Sequence, residues 1–267
     1  MAQSGDSTGW NQKLEQEVYQ RTVALQESLR KLELLNQMRA QFVSIMSHEL
    51  RTPATALVGY ADTLREKWKK LPEKRIQRYL DIISEESNRM VTLMQEIFEI
   101  SRITEGKLEL NFQTADLTAL TAAIVREFRE RYPALSFGFK ENSDPLPARV
   151  DTHYFKSALS HILDNAVKYT PAKGHVLVFA ERSGENAVIR VEDDGPGVAR
   201  DYRDKIFEPF FRSMDNVNRK TPGAGLGLTI ARGIFEAFKG RLTAEDKLTG
   251  RSGCAMVASV PLEEGPR

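Results

Sequence analysis

The stretch WNQKLEQEVYQRTVALQESLRKLELLNQMRAQFVSIMSHELRTPATALVGY, Trp10 to Tyr60, holds a single proline and a single glycine, Pro53 and Gly59. Leu, Gln, Glu, Lys and Arg dominate it, and such strong helix formers without breakers imply one very long helix. Val18, Thr22, Leu25, Leu29, Leu32 and Asn36 follow alternating steps of four and three, the spacing of a coiled coil. After Leu32 the stripe slips to Leu35, Met38, Phe42 and Ile45, so the heptad phase breaks there. At about 1.5 Å per residue, fifty helical residues span roughly 75 Å, too long for a compact monomeric domain. A parallel partner is the natural way to bury that seam.

Downstream, KWKKLPEK (Lys67 to Lys74) is a charged turn around Pro72, and a second apolar stripe follows at Ile76, Leu80, Ile83, Met90, Leu93, Ile97 and Ile100. Gly106 closes it as a helix C-terminal glycine does. The two arms make an antiparallel hairpin with one apolar face each, and two such hairpins form a dimeric four-helix bundle. From Lys107 the texture changes. LELNF (108–112) and LSFGF (135–139) alternate like strands, separated by a helical stretch from Leu117 to Arg131. A helix is expected over Phe155 to Lys168, a hairpin from HVLVFAE (175–181) and AVIRVED (187–193), a helix from Leu228 to Phe238, and strands near Leu242 and Met256–Val260. This mixture predicts an α/β two-layer sandwich. The expected organisation is a disordered start (1–9), a signalling coiled-coil helix (10–40), a hairpin (41–106), an α/β domain (107–262) and a short tail (263–267).

Composition narrows the function classes. The 267 residues are 41% hydrophobic and 28% charged, with 38 basic against 37 acidic side chains and a net charge of +1. That balance argues against a broad nucleic-acid surface. The single cysteine, Cys254, excludes an internal disulfide framework and a Cys-based zinc cluster. No window offers the roughly 18 uncharged apolar residues of a membrane span. MAQSGDSTGW lacks the basic and apolar regions of a signal peptide, so a cytoplasmic location is expected.

Two constellations carry chemistry. FVSIMSHELRTP, Phe42 to Pro53, lies inside the first helix. If Phe42, Ile45 and Glu49 continue the seam, His48 lies one position off it, at least partly exposed. Pro53 leaves the carbonyl of Glu49 without its intrahelical partner, predicting a bent or loosened helix one turn after the histidine. An imidazole held in one tautomer by a carboxylate has its other nitrogen free as a nucleophile. The pair alone is also what a surface histidine near an accidental kink would show. The second constellation is HILDNAVKYTP (161–171), VEDDGPGV (191–198), IFEPFFR (206–212) and GAGLGL (223–228). Asn165 and Lys168 fall three residues apart on a helix, Asp193 ends a strand before two glycines, and GAGLGL opens a helix whose free N–H groups attract phosphate. GAGLGL is not a dinucleotide fingerprint, because Leu228 stands where the last glycine belongs, and no P-loop string occurs.

In this order the motifs resemble the sensor histidine kinases of two-component signalling, over about Phe42 to Pro261. SHELRTP matches the phospho-acceptor box, and the N, DxGxG, phenylalanine and second glycine boxes follow with compatible gaps. The resemblance implies a homodimer through the hairpin that uses ATP and Mg²⁺ to phosphorylate His48, with Glu49 as base or orienting carboxylate. The phosphoryl group would pass to an aspartate of a response-regulator receiver domain, and Thr52 would hold water when the same enzyme dephosphorylates that partner. Asp193 matches the acceptor of the adenine amino group and Asn165 the Mg²⁺ ligand. Lys168 would neutralise phosphate, Tyr169 would contact the nucleoside, and Gly195 and Gly197 would let backbone pass under adenine. Gly223, Gly225, Gly227 and Leu228 would shape the phosphate end beneath a lid from Arg212 to Pro222, with Arg212, Arg219 and Lys220 as candidate phosphate contacts. The segment Arg102–Lys107 is a candidate hinge between hairpin and ATP-binding domain.

Three positions depart from the family pattern. His161 stands where a second asparagine is usual, Ala54 replaces a common leucine, and Cys254 with Ala255 replace frequent hydroxyl residues. His161 keeps a rival open: a pseudokinase module that binds nucleotide or a partner without phosphoryl transfer. A gyrase-like ATPase acting on nucleic acid fails on the neutral charge and the histidine hairpin. No sensor domain is visible before Trp10, which leaves an upstream input module either elsewhere or lacking.

Overall fold

The computed structural model describes residues 6–141, 145–211, 225–248 and 253–263. Its contacts define two units that divide between Arg51 and Thr52. The long helix α1 runs Asp6–Lys67 with Pro53 inside it. It reaches four residues upstream of the expected start at Trp10, so Asp6 to Gly9 are helical rather than disordered. A single glycine in that turn costs only ~1 kcal/mol against alanine. In the first unit, Leu25 and Leu29 are 60% and 51% exposed, so among the described residues nothing covers this part of the seam.

The second unit begins with the rest of α1. A 3-10 turn over Trp68–Lys70 leads to α2, Glu73–Thr104, with Pro72 at its N-cap, where its missing N–H costs no helical bond. Tyr60 and Tyr79 stack between the two arms with ring centroids 5.1 Å apart. Leu93 and Ile100 of the predicted stripe are buried, whereas Leu80, Val91, Met94 and Phe98 stay exposed. The helix closes as expected: Gly106 adopts φ +64° and the Lys107 N–H bonds the Arg102 carbonyl at 2.9 Å.

The strand expected over Leu108–Phe112 does not form. The Asn111 N–H donates instead to the Asp151 carboxylate at 2.8 Å, so a side chain replaces a ladder partner, and the first strand, β1, is Gln113–Asp116. It pairs antiparallel with β3, Pro147–Val150, along which Ala148 and Val150 are buried and Pro147 and Arg149 exposed. The main sheet also contains β2 (Ser136–Glu141), β4 (His175–Ser183), β5 (Asn186–Asp193), β6 (Arg241–Glu245) and β7 (Ala255–Pro261), in the order β2-β4-β5-β7-β6. Only the β2–β4 pair is parallel. Helices α3 (Leu117–Arg131), α4 (Thr152–Tyr169) and α5 (Gly227–Ala237) complete the expected α/β layer pair.

The core is where helices and sheet meet. Phe155, Leu159, Ile162 and Leu163 of α4, Ile189 of β5 and Ile230, Ile234 and Phe235 of α5 are fully buried. Phe155 meets Phe235 edge-on, centroids 6.2 Å apart. Two aspartates fix the helix starts. Asp116 accepts from the N–H groups of Thr118 and Leu146, and Asp151 accepts from those of His153 and Tyr154 while its other oxygen takes Asn111. The end of α2 lies against α5: a Cβ at Gly233 would fall 2.4 Å from a methyl of Ile103, so a glycine is required for that approach. Ser157 of α4 donates to Glu99 at 3.4 Å. This packing is why contacts group the hairpin with the α/β layers rather than dividing near Gly106. No helix among the described residues is long and apolar enough to cross a membrane.

Candidate functional site

Three sequence motifs converge around the C-terminal half of α4. Its regular apolar spacing puts Phe155, Leu159 and Ile162 inward, which leaves Asn165, Lys168 and Tyr169 half-buried. The Lys168 ammonium lies 5.3 Å from the Tyr169 ring centroid. The DxGxG turn meets this helix end, since the Tyr169 carbonyl would be 3.0 Å from a Cβ on Gly195. Strand β5 ends in Asp193, only 6% exposed, whose N–H bonds the Cys254 carbonyl at 3.0 Å. One carboxylate oxygen accepts the Gly195 N–H at 2.8 Å. Burial pushes the Asp193 carboxyl above its ordinary range; the Gly195 and Cys254 amides and the Lys247 ammonium pull it back, and Asp194 opposes them. Gly197 has φ +81°, and a side chain there would meet the Gly253 carbonyl at 2.8 Å.

The second glycine box arrives from the other side. Gly225 has φ +74° and its carbonyl accepts the Phe210 N–H at 3.1 Å, joining the phenylalanine box to the start of α5. Gly227, the first residue of α5, faces His161, whose Nδ1 would be 3.0 Å from a Cβ placed there. Burial pushes His161 down to about 4, so the imidazole is neutral at ordinary pH. Leu228 follows in the first turn of α5. The candidate contacts Arg212, Arg219, Lys220 and Gly223 lie outside the described residues.

His48, Glu49 and Thr52 all lie on α1. His48 and Thr52 are exposed and Glu49 is half-buried. The unit division falls between Arg51 and Thr52, so His48 and Glu49 belong to one unit and Thr52 to the other. The helix assignment continues through Pro53 without a break.

Several residues near the site had no sequence signal of their own. Glu96 of α2 lies near Glu99 of the same helix and near Asp164 and Lys168 of α4; burial first, then Glu99 and Asp164, push Glu96 up to about 7, against the pull of Lys168. Asp194 accepts from the His175 N–H at 2.9 Å, sits 3.0 Å from the His175 ring and accepts from Lys247 at 2.6 Å. Asp194 could have been suspected as the second acid of DDGPG. Lys247 could not, because it lies in irregular chain after β6. Among the described residues no group of three or more His, Cys, Asp or Glu side chains could hold a metal.

Two family models match this chain. Residues 38–106 match the His Kinase A (phospho-acceptor) domain, and residues 150–264 match the histidine kinase-, DNA gyrase B- and HSP90-like ATPase. The chain belongs to the sensor histidine kinases. This histidine kinase is 29% identical, over 88% of its length, to the circadian input-output histidine kinase CikA of Synechococcus elongatus, covering 32% of that protein. It spans between 16% and 35% of the first three curated relatives. Among solved structures, histidine kinase ThkA in complex with the response regulator protein TrrA aligns over 88% of this chain and 64% of that one, with 24% identity and TM-score 0.64. Full-length ShkA in complex with AMPPNP aligns over 84% of this chain and 46% of that one, with 24% identity and TM-score 0.62. Those two likenesses bear on the fold.

Proposed function

We propose that this histidine kinase autophosphorylates His48 from ATP and passes the phosphoryl group to an aspartate of a response-regulator receiver domain. The observation that carries this is the exposed His48 imidazole beside Glu49, inside a phospho-acceptor match. The ATP-binding half supports it: Asp193 is buried at the end of β5, and Asn165 and Lys168 lie half-buried on α4.

A buried carboxylate at a strand end, flanked by glycine backbone, fits the edge of adenine. Asn165 would hold Mg²⁺, an ion that takes few protein oxygens and leaves its other positions to phosphate and water. When bound, Mg²⁺ neutralises phosphate charge. Lys168 adds charge to the same end of the nucleotide, and the first turn of α5 offers N–H groups to phosphate. In the transfer, one His48 nitrogen forms a bond to the γ-phosphorus while the bond from that phosphorus to the bridging oxygen breaks, releasing ADP. Glu49 holds or accepts the proton of the other ring nitrogen. Positioning and charge neutralisation supply most of the rate in such reactions. In the next step the P–N bond breaks as a carboxylate oxygen of the regulator takes the group.

Thr52 would orient water against the phosphorylated regulator, giving the same protein a phosphatase activity. ThkA is described with a response regulator, which makes a receiver domain the natural partner here. The exposed apolar row of Leu80, Val91, Met94 and Phe98 supports a second copy as the partner that completes a four-helix bundle. A cytoplasmic setting would supply both ATP and the regulator.

The test is incubation with Mg²⁺ and γ-labelled ATP beside His48→Gln. Acid-labile label in the parent and none in the variant is expected. Absence of label in both, with nucleotide still bound, would mean a pseudokinase.

A further inference from the structure

The tip of the hairpin carries a charge that the rest of the chain does not share. Of the 38 basic and 37 acidic side chains, seven basic and two acidic ones fall between Arg65 and Arg78, so the chain outside the tip has an excess of acids. Arg65 pairs with Asp62 at 2.9 Å. Lys67, Lys69, Lys70, Lys74, Arg75 and Arg78 are exposed, and none has an ion-pair partner among the described residues. Basic residues in the last turn of α1 offset the negative end of that helix, which accounts for Arg65 and Lys67 but not for the cations beyond them. At the apex, the 3-10 turn Trp68–Lys70 buries none of its residues, and Trp68 is 55% exposed. A ring of that size gains much from leaving water and is ordinarily well buried. The Leu71 N–H closes the turn on the carbonyls of Lys67 at 3.1 Å and Trp68 at 3.4 Å, so the turn holds its shape with bonds of its own.

We propose that the hairpin tip is a peripheral docking surface for an anionic lipid bilayer, with Trp68 entering the interface and the surrounding cations drawing the tip to the headgroups. Three features favour a bilayer over other polyanions. Tryptophan prefers the boundary between headgroups and hydrocarbon, where its ring is buried and its N–H stays wet. Lys67, Lys69 and Lys70 flank it, with no arginine in the turn. A nucleic-acid or carboxylate site built on geometry uses the guanidinium fork, whereas a diffuse anionic surface needs only point charges on long stems. Finally, α1 and α2 fold back together from the turn, with Tyr60 stacked on Tyr79, so the apex is the end of the hairpin and a plane can approach it. No helix among the described residues is able to cross a bilayer, so the contact is with its surface. A dimer of hairpins would put two tips at one end of the bundle and double the charge facing one plane. None of this depends on phosphoryl transfer at His48.

The experiment is flotation of the full chain with vesicles of phosphatidylcholine containing about one third phosphatidylglycerol, beside vesicles of phosphatidylcholine alone. The chain has two tryptophans, so a Trp10→Phe background leaves Trp68 as the only indole. The parent should float with the anionic vesicles and stay in solution with the neutral ones. It should detach as added salt cuts the screening length from about 10 Å to about 3 Å. Trp68 emission should move to shorter wavelength on binding. Lys67→Gln, Lys69→Gln and Lys70→Gln combined should weaken the partition about a hundredfold, at roughly fivefold for each lysine near the surface. Trp68→Ala should weaken it as well while keeping the salt dependence. Both variants should melt at the parent temperature, because the four side chains are exposed. Failure of the parent to float at low salt overturns the proposal. So does a glutamine variant or a Trp68→Ala variant that floats like the parent, or binding to duplex DNA or polyglutamate without flotation.

Discussion

Replacing Glu96 with glutamine should make this protein more stable at neutral pH, by an amount that vanishes in acid. Glu96 lies on α2 near Asp164 and Lys168 of α4; desolvation, then Glu99 and Asp164, raise it from 4.5 to about 7, and Lys168 opposes them. Between those two values the folded chain holds a proton that the unfolded chain has released. Stability therefore falls as pH rises through that window, the reverse of an ordinary salt-bridged carboxylate. A rise from 4.5 to about 7, at about 1.4 kcal/mol per pH unit, sets a ceiling of about 3 kcal/mol. Glu99 and Asp164 are raised as well, both mainly by burial, so the Glu96 charge is only part of the local cost and about 1–3 kcal/mol is the working range. Glutamine keeps the shape and removes the charge. Urea unfolding of parent and Glu96→Gln, followed by far-UV circular dichroism near pH 8 and near pH 4.5, reads the difference. The variant should gain about 1–3 kcal/mol at the higher pH, a rise in melting temperature of about 2–4 °C per kcal/mol, and under ~0.5 kcal/mol at the lower. An equal gain at both values, or a loss near pH 8, would refute the claim that a buried charge opposes packing of α2 on α4.

Phe155→Ala should cost about 3–5 kcal/mol in chemical denaturation, because the ring is fully buried against Phe235. Asp116→Ala removes an acceptor shared by Thr118 and Leu146 and should lower stability by about 1–2 kcal/mol, read the same way. Thr52→Ala should slow release of phosphate from a phosphorylated regulator while leaving label incorporation at His48 intact. Unchanged release would remove Thr52 from the phosphatase role.

Local rules account for what the sequence made legible. Helix α3 runs from Leu117 to Arg131 as expected, because its apolar spacing and its aspartate cap act within a few residues. The β4–β5 hairpin across Gly184 follows from two alternating runs around a turn. Residues 108–112 show the limit: an alternating pattern specifies a strand only if a neighbour is available, and Asp151, forty positions away, takes the Asn111 N–H instead. Asn165, Asp193 and the glycines could be singled out as candidates because the motifs that hold them depend on residue type at fixed spacing. Lys247 could not, since what matters is that a distant glycine, Gly253, leaves room for its stem. Glu96 was hidden for a related reason, as its burial and two of its charged neighbours, Asp164 and Lys168, come from packing against another helix.

The bond from Asn111 to Asp151 makes a short leash. Lys107 is fastened to the end of α2 through Arg102, and Asn111 is fastened to the cap of α4, so only Leu108, Glu109 and Leu110 run between two anchored points. Four residue steps reach at most about 14 Å. A rearrangement that carries the start of α4 farther than that from the end of α2 must first detach one anchor, either by unwinding the last turn of α2 or by giving up the Asn111 bond. The travel of the C-terminal half is thereby rationed by two hydrogen bonds, one between backbone groups and one from backbone to a carboxylate, and a substitution at Asp151 would lengthen the tether as well as uncap the helix.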